Sequence, residues 1–517
     1  MATYTRSNAW NNGGTFTNTD LLWYAKGVQA MQALPLDNLN SWWSFAALHG
    51  EYITDPSFPG WGYLPSPPAT PTTPQPPQSI QDKYWNQCQH QSWYFLPWHR
   101  GYLIALEAQI RAAVKAAGGP SDWALPYWNY FGTNESSIPP AFTATTLPDG
   151  SPNPLFVKAR YGPLGNGNIF VPIPPVSQSV MSNDLFTGSD TKTAKPGFGG
   201  PKTGFNHGRG LNGNLESNPH NQVHGAVGGS LPNGTYGLMS DPGIAALDPI
   251  FYLHHCNIDR MWAVWNQAGN KNSTDPAWLN GPAASGQREF VMPLPTNSSW
   301  VYIPSQMDSL SKVDYTYDTL PALAPAVNVL SQRLNRLGAV AAAANVKEEE
   351  PVDHGAEEEL LGANEGALPI KGASAATTVK LAARVRAKVI ASLAAPSEAA
   401  PPDRVYLYLE NVRGTQDAVS LNIYINLPKG TNPLGHPELL AGTVGLFGLR
   451  LASRTDKGHS GDGLDFNLEI TDIVDTLHLR NELDTDSIHV TILPQPPVPD
   501  SGEVTVGRVS IYREGSK

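Results

Sequence analysis

Six of the thirteen histidines in this 517-residue chain fall into two groups of three, and that grouping is the strongest constraint on how the chain folds. The downstream group begins in H-N-Q-V-H at 220–224. On a helix, His220 and His224 stand four residues apart, so both imidazoles project from one face within reach of a single metal ion. The segment D-P-I-F-Y-L-H-H-C-N-I-D-R at 248–260 puts Pro249 at a first helical position, and the helix it starts, through Asn266, carries His254 and His255 one turn in. Either could be the third ligand. Asp259, the i+4 neighbour of His255, favours His255, because a carboxylate beside a ligating imidazole is the usual supporting partner. The upstream group is His49, His90 and His99, set in sequence rich in tryptophan, tyrosine and phenylalanine. A lone H-x-x-x-H pair also caps helices or fills half-buried surface. Six imidazoles in two sets, with no carboxylate or thiolate at ligand spacing, suit copper better than magnesium or calcium. Asn221 stands where the metalloprotease motif H-E-x-x-H has its general-base glutamate, which argues against that zinc chemistry.

A chain of this length is expected to divide into two domains. Helical spacing runs over Thr19–Gln32, through Leu21, Leu22, Tyr24, Val28 and Met31, and a second helix is expected over Ser41–His49, ended by Gly50. Pro56–Gln78 is proline-rich and reads as an extended surface loop, since proline forbids regular helix. The long helix that carries His99 starts after Pro97 and ends at Gly118-Gly119, with Leu103, Leu106, Ile110 and Val114 on its apolar face. From Phe131 to Gly213 the chain is rich in glycine, proline, serine, threonine and asparagine; a loop of that length in a compact domain is functional or wraps the surface. A short strand is expected in K-V-D-Y-T-Y-D at 312–318, with a domain boundary near residue 320. Residues 321–403 read as an alanine-rich linker whose acidic blocks at 348–350 and 357–359 repel themselves and stay solvated. From Arg404 on, alternating runs such as V-Y-L-Y-L-E-N-V and S-L-N-I-Y-I-N-L, separated by turn residues, predict a small all-β, sandwich-like domain over 404–517. The expected fold is therefore a mainly α domain over 1–320, a helical bundle with long loops around the histidines, followed by this β domain.

Composition narrows the partners. A formal charge of −11 without a basic stripe argues against nucleic acid and anionic membrane. No apolar run approaches the ~20 residues of a membrane span. Two cysteines, Cys88 and Cys256, cannot build a disulfide framework. The polar stretch Met1–Asn8 lacks an apolar signal core, so a cytoplasmic protein is expected, or a secreted one if a leader has been removed.

Four pieces carry a resemblance: A-L-H-G at 47–50, C-Q-H-Q-S-W-Y-F-L-P-W-H-R at 88–100, N-P-H-N-Q-V-H-G at 218–225, and the 248–260 segment quoted above. Over about residues 5–320 the chain resembles the type 3 dicopper proteins, that is, tyrosinases, catechol oxidases (polyphenol oxidases) and molluscan-type haemocyanins. The resemblance implies one copper ion held by His49, His90 and His99 and a second by His220, His224 and His255, with the D-P-x-F pattern placing the ligand on the second of the adjacent histidines. It implies a thioether joining Cys88 to the ring of His90, and Glu216 with Asn221 as the pair that holds a water able to deprotonate a phenol. Tyr315 and Tyr317 match a tyrosine motif that packs against an N-terminal arginine, here Arg6. Trp93, Phe95 and Phe251 would wall the site, and Leu238–Ala246 would shape its entrance. The C-terminal β region resembles the domain that covers the copper entrance in plant polyphenol oxidases and haemocyanin units and keeps the enzyme latent. The implied activity is copper-dependent oxidation of o-diphenols, and of monophenols by o-hydroxylation, to o-quinones with O2 as co-substrate. Its partner would be a small phenol, and a homo-oligomer is compatible with it. The alternative is a haemocyanin-like reversible dioxygen carrier, against which the single set of motifs counts.

Overall fold

Asn18 and Ser41 start the first two helices by accepting, through side-chain oxygens, the backbone N–H of Asp20 and of Ser44. These are α1 (Thr19–Gln32) and α2 (Trp42–His49), at the places the spacing predicted. Three more helices complete the histidine-bearing bundle: α3 (Phe95–Ala116), α4 (Gln222–Gly228) and α5 (Ile250–Gln267). Helix α5 is buried continuously from Ile250 to Trp265, a core helix with polar groups on the inside, so each of those groups needs a partner. Gly27 of α1 lies against Ile110 of α3, where a Cβ would come within 2.6 Å of the Ile110 side chain. The computed structural model describes residues 4–50, 73–173, 175–188, 196–208, 210–295, 298–323, 329–338, 357–397, 400–455, 461–482 and 486–515. Most of the proline-rich interval and the acidic block at 348–350 lie outside these residues. Among the described residues no helix is long and apolar enough to cross a membrane.

Strand β1 (Tyr4–Arg6) pairs in parallel with β2 (Tyr315–Tyr317), which ties the two ends of the first domain together. The pairing places Arg6 in a fully buried cluster. Its Nε donates to Glu107 (2.8 Å), its Nη1 donates to the Tyr317 hydroxyl (3.1 Å), and its guanidinium lies 3.5 Å from the Tyr315 ring centroid. Asp259 belongs to this cluster and not beside His255 as expected. It accepts from Arg100 Nε (2.5 Å) and from the hydroxyls of Tyr315 (2.6 Å) and Tyr317 (2.5 Å). Against the upward pull of burial, Arg100, Arg6 and these hydroxyls hold its carboxyl below its ordinary range. The i+4 spacing put Asp259 on the same helix face as His255, but two guanidiniums outcompete one neutral imidazole for a buried carboxylate.

The β-rich C-terminal region supplies nine strands of one ten-stranded sheet. Its main strands are β3 (Glu357–Ala363), β4 (Ala375–Leu381), β5 (Arg404–Gly414), β6 (Ser420–Ile425), β7 (Leu440–Gly445), β8 (Leu464–Glu469), β9 (Ser487–Gln495) and β10 (Val504–Gly515). Along the sheet the order is β7-β6-β9-β4-β3-β10-β5-β8, all antiparallel. The sheet curls until Gly442 of β7 abuts Leu468 of β8, so its two halves enclose one apolar core, the sandwich-like packing expected.

The linker expected over 321–403 is much shorter. Glu357–Glu359 begin β3, paired with β10, and Glu359 there accepts from Lys388 and Arg513 (both 2.6 Å), so this acidic block belongs to the sheet and not to a linker. A helix at Ala383–Ala394 packs Val389 and Leu393 into the β core. A short helix at Val329–Arg336, here called α6, also belongs to this domain. Buried Arg333 donates to both oxygens of Asp475 (2.8 and 2.9 Å) and to the carbonyls of Pro402 (2.7 Å) and Asp403 (2.6 Å), and Arg336 reaches Asp475 at 2.8 Å. Alanine-rich composition concealed these elements, because alternation in 375–381 is spread over small side chains that give little contrast.

The two domains are joined by several contacts. Gly210–Leu211 adds a parallel strand to the β8 edge, Ser420 Oγ donates to Gln222 Oε1 (2.7 Å), and Arg450 Nη1 donates to the Tyr236 hydroxyl (2.6 Å). Phe447 and Leu451 are built into the core of the first domain, not their own.

Candidate metal centre

Five elements deliver the histidines. His49 is the last residue of α2, His90 lies on the segment before α3, and His99 sits in the second turn of α3. His220 lies in a wide helical turn at Glu216–Asn221 that runs into α4, which carries His224; His255 is on α5. All six rings are buried. His49, His90 and His99 gather potential ligand atoms within 4.8 Å of one another, and so do His220, His224, His254 and His255. The two groups face each other: His99 stacks on His255 with ring centroids 4.4 Å apart and 14° between planes, and His90 is 5.9 Å from His220.

In most of these rings Nδ1 is occupied and Nε2 is left toward the centre. Nδ1 of His49 donates to the Pro242 carbonyl (2.9 Å), His99 to Phe95 (2.8 Å), His224 to Met239 (2.7 Å) and His220 to Asn221 Oδ1 (2.8 Å). Such bonds set the tautomer that leaves the Nε2 lone pair free for a metal. Nε2 of His49, His90 and His99 has no protein partner, while Nε2 of His255 approaches Nε2 of His220 (3.2 Å) and of His224 (3.5 Å). Burial pulls all six imidazoles well below their ordinary range, with His49 and His220 down to about 3, so they stay neutral at physiological pH. Neutral, buried, converging nitrogens otherwise cost free energy, and two borderline-soft cations held three nitrogens each would satisfy them.

His254 joins the second group in space but differs from His255. Its ring stacks on His220 (5.3 Å, 22°), and neither of its nitrogens meets a ring nitrogen of the group at hydrogen-bond distance. Phe251 packs on His255 at 4.2 Å and His49 at 4.9 Å, and Phe95 on His99 at 4.6 Å and His220 at 4.8 Å, so both wall the centre as expected. Trp93 does not: its indole donates to the Thr203 carbonyl beneath Lys202, and Trp98 takes the place beside His99 (4.8 Å). Adjacent aromatics on a loop just before a helix leave open which one points inward, and the first turn of α3 turned Trp98 to the site.

Cys88 Sγ lies 3.3 Å from His90 Nδ1 and 3.1 Å from Nδ1 of His207, a histidine that no spacing signal picked out because it comes from the long loop. Glu216 is buried beside His220. Both its oxygens accept from the Gln91 N–H (2.9 and 3.0 Å), and burial pushes its carboxyl up to about 8 despite that bond and one from Gly213. Asn221 faces His220 and, on its other side, Asn212, so Glu216 and Asn221 flank one ligand without touching each other.

The entrance is closed from outside the first domain. Phe447, on the turn after β7, stacks on His224 with centroids 4.0 Å apart at 25°, and lies 5.8 Å from His220 and 6.1 Å from His90. It therefore touches both histidine groups. Pro242, from the expected entrance segment Leu238–Ala246, lines the small remaining cavity with His90, Phe447 and Leu451. L-F-G-L at 446–449 carries no signal of this role in an alternating β sequence.

Comparison with known proteins places this geometry. The common central domain of tyrosinase matches residues 39–172 and 173–268, and a domain of unknown function matches 357–514. The chain is 33% identical to the tyrosinase HcTyr1 of Hahella sp. (strain CCB-MM4), over 96% of this chain and 97% of that one. It is 30% identical to the latent form of a chloroplastic polyphenol oxidase of Prunus armeniaca, over 51% of this chain and 41% of that protein. Among solved structures, latent apple tyrosinase shares the fold with a TM-score of 0.55 at 21% identity, covering 98% of this chain and 97% of that one. A latent aurone synthase (polyphenol oxidase) gives 0.55 at 18%, covering 99% and 90%. None of these matches supports the oxygen-carrier alternative.

Proposed function

Since the chain belongs to the tyrosinase family of type 3 dicopper enzymes, we propose from that premise how its own residues carry the family's reaction, the oxidation of phenols by O2. His49, His90 and His99 would hold one copper and His220, His224 and His255 the other; when bound, the pair supplies dioxygen activation and the electron exchange that takes a phenol to a quinone. The chain's tasks are to fix six neutral donors, exclude bulk water and orient a ring. Phe95, Phe251 and Trp98 supply the dry walls. Glu216, held beside His220 by the Gln91 N–H, is the carboxyl placed to accept a phenol proton through a water, with Asn221 holding the neighbouring ligand in place. Both o-diphenols and monophenols fall within this reach. The charge of −11, without a basic stripe, supports a small-molecule substrate and no nucleic-acid partner.

The observation that carries this reading is the pair of opposed, buried, neutral histidine groups with Nε2 turned inward. Phe447 on top of them supports latency: a phenol ring needs the place that the Phe447 ring holds. Copper analysis with oxygen uptake on catechol and on a monophenol tests it. Two coppers per chain and catechol-dependent uptake, once the C-terminal domain is released, are the expected result. A copper-loaded, released domain that consumes no oxygen with either phenol would end this reading.

The Cys88–His90 distance supports the thioether. Peptide mass mapping of copper-loaded, oxygen-exposed protein should yield the joined peptide, lighter by one hydrogen from each residue, and Cys88 should resist alkylation after denaturation. An alkylatable Cys88 in fully active enzyme would show that the ring is held by packing alone.

A further inference from the structure

Asn212 is buried, lies on the long loop rather than in any histidine motif, and directly follows the strand Gly210–Leu211 that pairs with Leu464–Asp465 of β8. Its side-chain oxygen receives two N–H donors, Gln91 Nε2 at 2.7 Å and Asn221 Nδ2 at 3.3 Å. Asn221 in turn accepts from His220 Nδ1 at 2.8 Å. An amide is two-faced: whichever end is committed on one side determines what the other side presents. Because the Asn212 oxygen takes the Asn221 NH2 group, the Asn221 oxygen is the end left for His220. That oxygen requires a proton on His220 Nδ1 and so leaves Nε2 as the lone-pair nitrogen. With the Asn221 amide reversed, its NH2 would face His220 Nδ1, the ring proton would move to Nε2, and a protonated Nε2 cannot ligate. The Asn212 amide cannot be reversed alone, since its NH2 would then confront the donors of Gln91 and Asn221, so the three amides and the His220 ring are set as one unit.

We infer that Asn212 is a positioning residue for the second copper site: its carbonyl oxygen fixes the Asn221 amide and, through it, the tautomer of His220. Gln91 ties the same oxygen to the segment that holds the other group, because the Gln91 backbone N–H binds Glu216 and His90 is its neighbour. One side-chain oxygen thus links the supports of both halves of the centre. The strand pairing before Asn212 also hangs this oxygen on the docked C-terminal domain.

The inference rests on the dicopper reading, and full-length Asn212→Leu and Asn212→Asp separate the two. Copper retention is measured by equilibrium competition with a chelator, alongside kcat and KM for catechol in the released form. Wild-type protein that binds two coppers upholds the dicopper reading by itself. Asn212→Leu, which keeps the branched shape and removes the acceptor, should then weaken one copper by about 10- to 100-fold and leave the other at wild-type affinity. It should lower kcat with KM within about twofold, because the docking surface for the ring is untouched. Asn212→Asp, which keeps an acceptor facing both donors, should restore retention to within about threefold. If Asn212→Leu does not fold, Asn212→Ser, whose hydroxyl is too short to span to Asn221, takes its place with the same expectation. Wild-type retention of both coppers in the folded acceptor-less variant would overturn the inference. Equal loss in the aspartate and leucine variants would overturn it too, since packing and not the acceptor would then be what matters.

Discussion

Removing everything beyond Leu323 raises catechol oxidation by about 10- to 1,000-fold with copper content unchanged, whereas a cut between Gly338 and Glu357 leaves the rate low. The first half follows from Phe447, whose ring covers His224 and reaches His220 and His90. Only the fraction of molecules with this domain displaced turns over, and a minor state of about 0.1–10% sets that range. The second half follows from α6. That helix precedes the cut yet is bound to the C-terminal domain by the Arg333–Asp475 pair, the carbonyls of Pro402 and Asp403, and Arg336. A nick after α6 therefore leaves the two pieces held by a buried ion pair together with the Gly210–Leu211 strand pairing and the Arg450–Tyr236 contact. The acidic stretch Lys347–Leu361 is thus the wrong place to cut: its last residues are strand β3, and all of it follows α6 in the sequence. A chain truncated after Leu323 and a full-length chain with an engineered protease site after Gly338, with activity and, for the second, co-elution on gel filtration, check the two halves. Phe447→Gly in the uncut chain should recover part of the gain, as it empties the ring's place and keeps the domain docked. Equal specific activity in the full-length and shortened forms, each holding two coppers, would leave the C-terminal domain as a stabilising module.

His255→Ala should lose one copper and at least about a thousandfold in turnover, because a metal centre contributes several kcal/mol of transition-state stabilisation that one missing ligand removes. His254→Ala should keep both coppers. The two histidines are adjacent, equally buried and members of the same cluster, so burial and proximity do not separate them. Direction does: Nε2 of His255 converges on Nε2 of His220 and His224, while His254 lies flat on the His220 ring. Metal analysis of the two variants decides the matter. Copper lost from the His254 variant and kept by the His255 variant would reverse the assignment.

What the sequence determined by itself was the chemistry. Two groups of three histidines, with 254 or 255 left open as the last member, are a donor set that few metals suit, and the helices that bear them announce themselves through the glycine at 50, the proline at 249 and a 3.6-residue apolar period. These signals are local, lying within one or two turns of the chain, so no fold is needed to read them. What the tertiary structure alone decided was which polar groups pair across distance. Asp259 stands one turn from His255, yet Arg6, 253 residues away, and Arg100, 159 away, claim it. Phe447 comes from the far domain to cover His224, and Asn212 reaches both Gln91 and Asn221 from a loop without periodicity. A buried charge or amide takes the partner that best compensates its lost hydration, and which partner is within 3 Å is set by how the domains pack, which no spacing along the chain records.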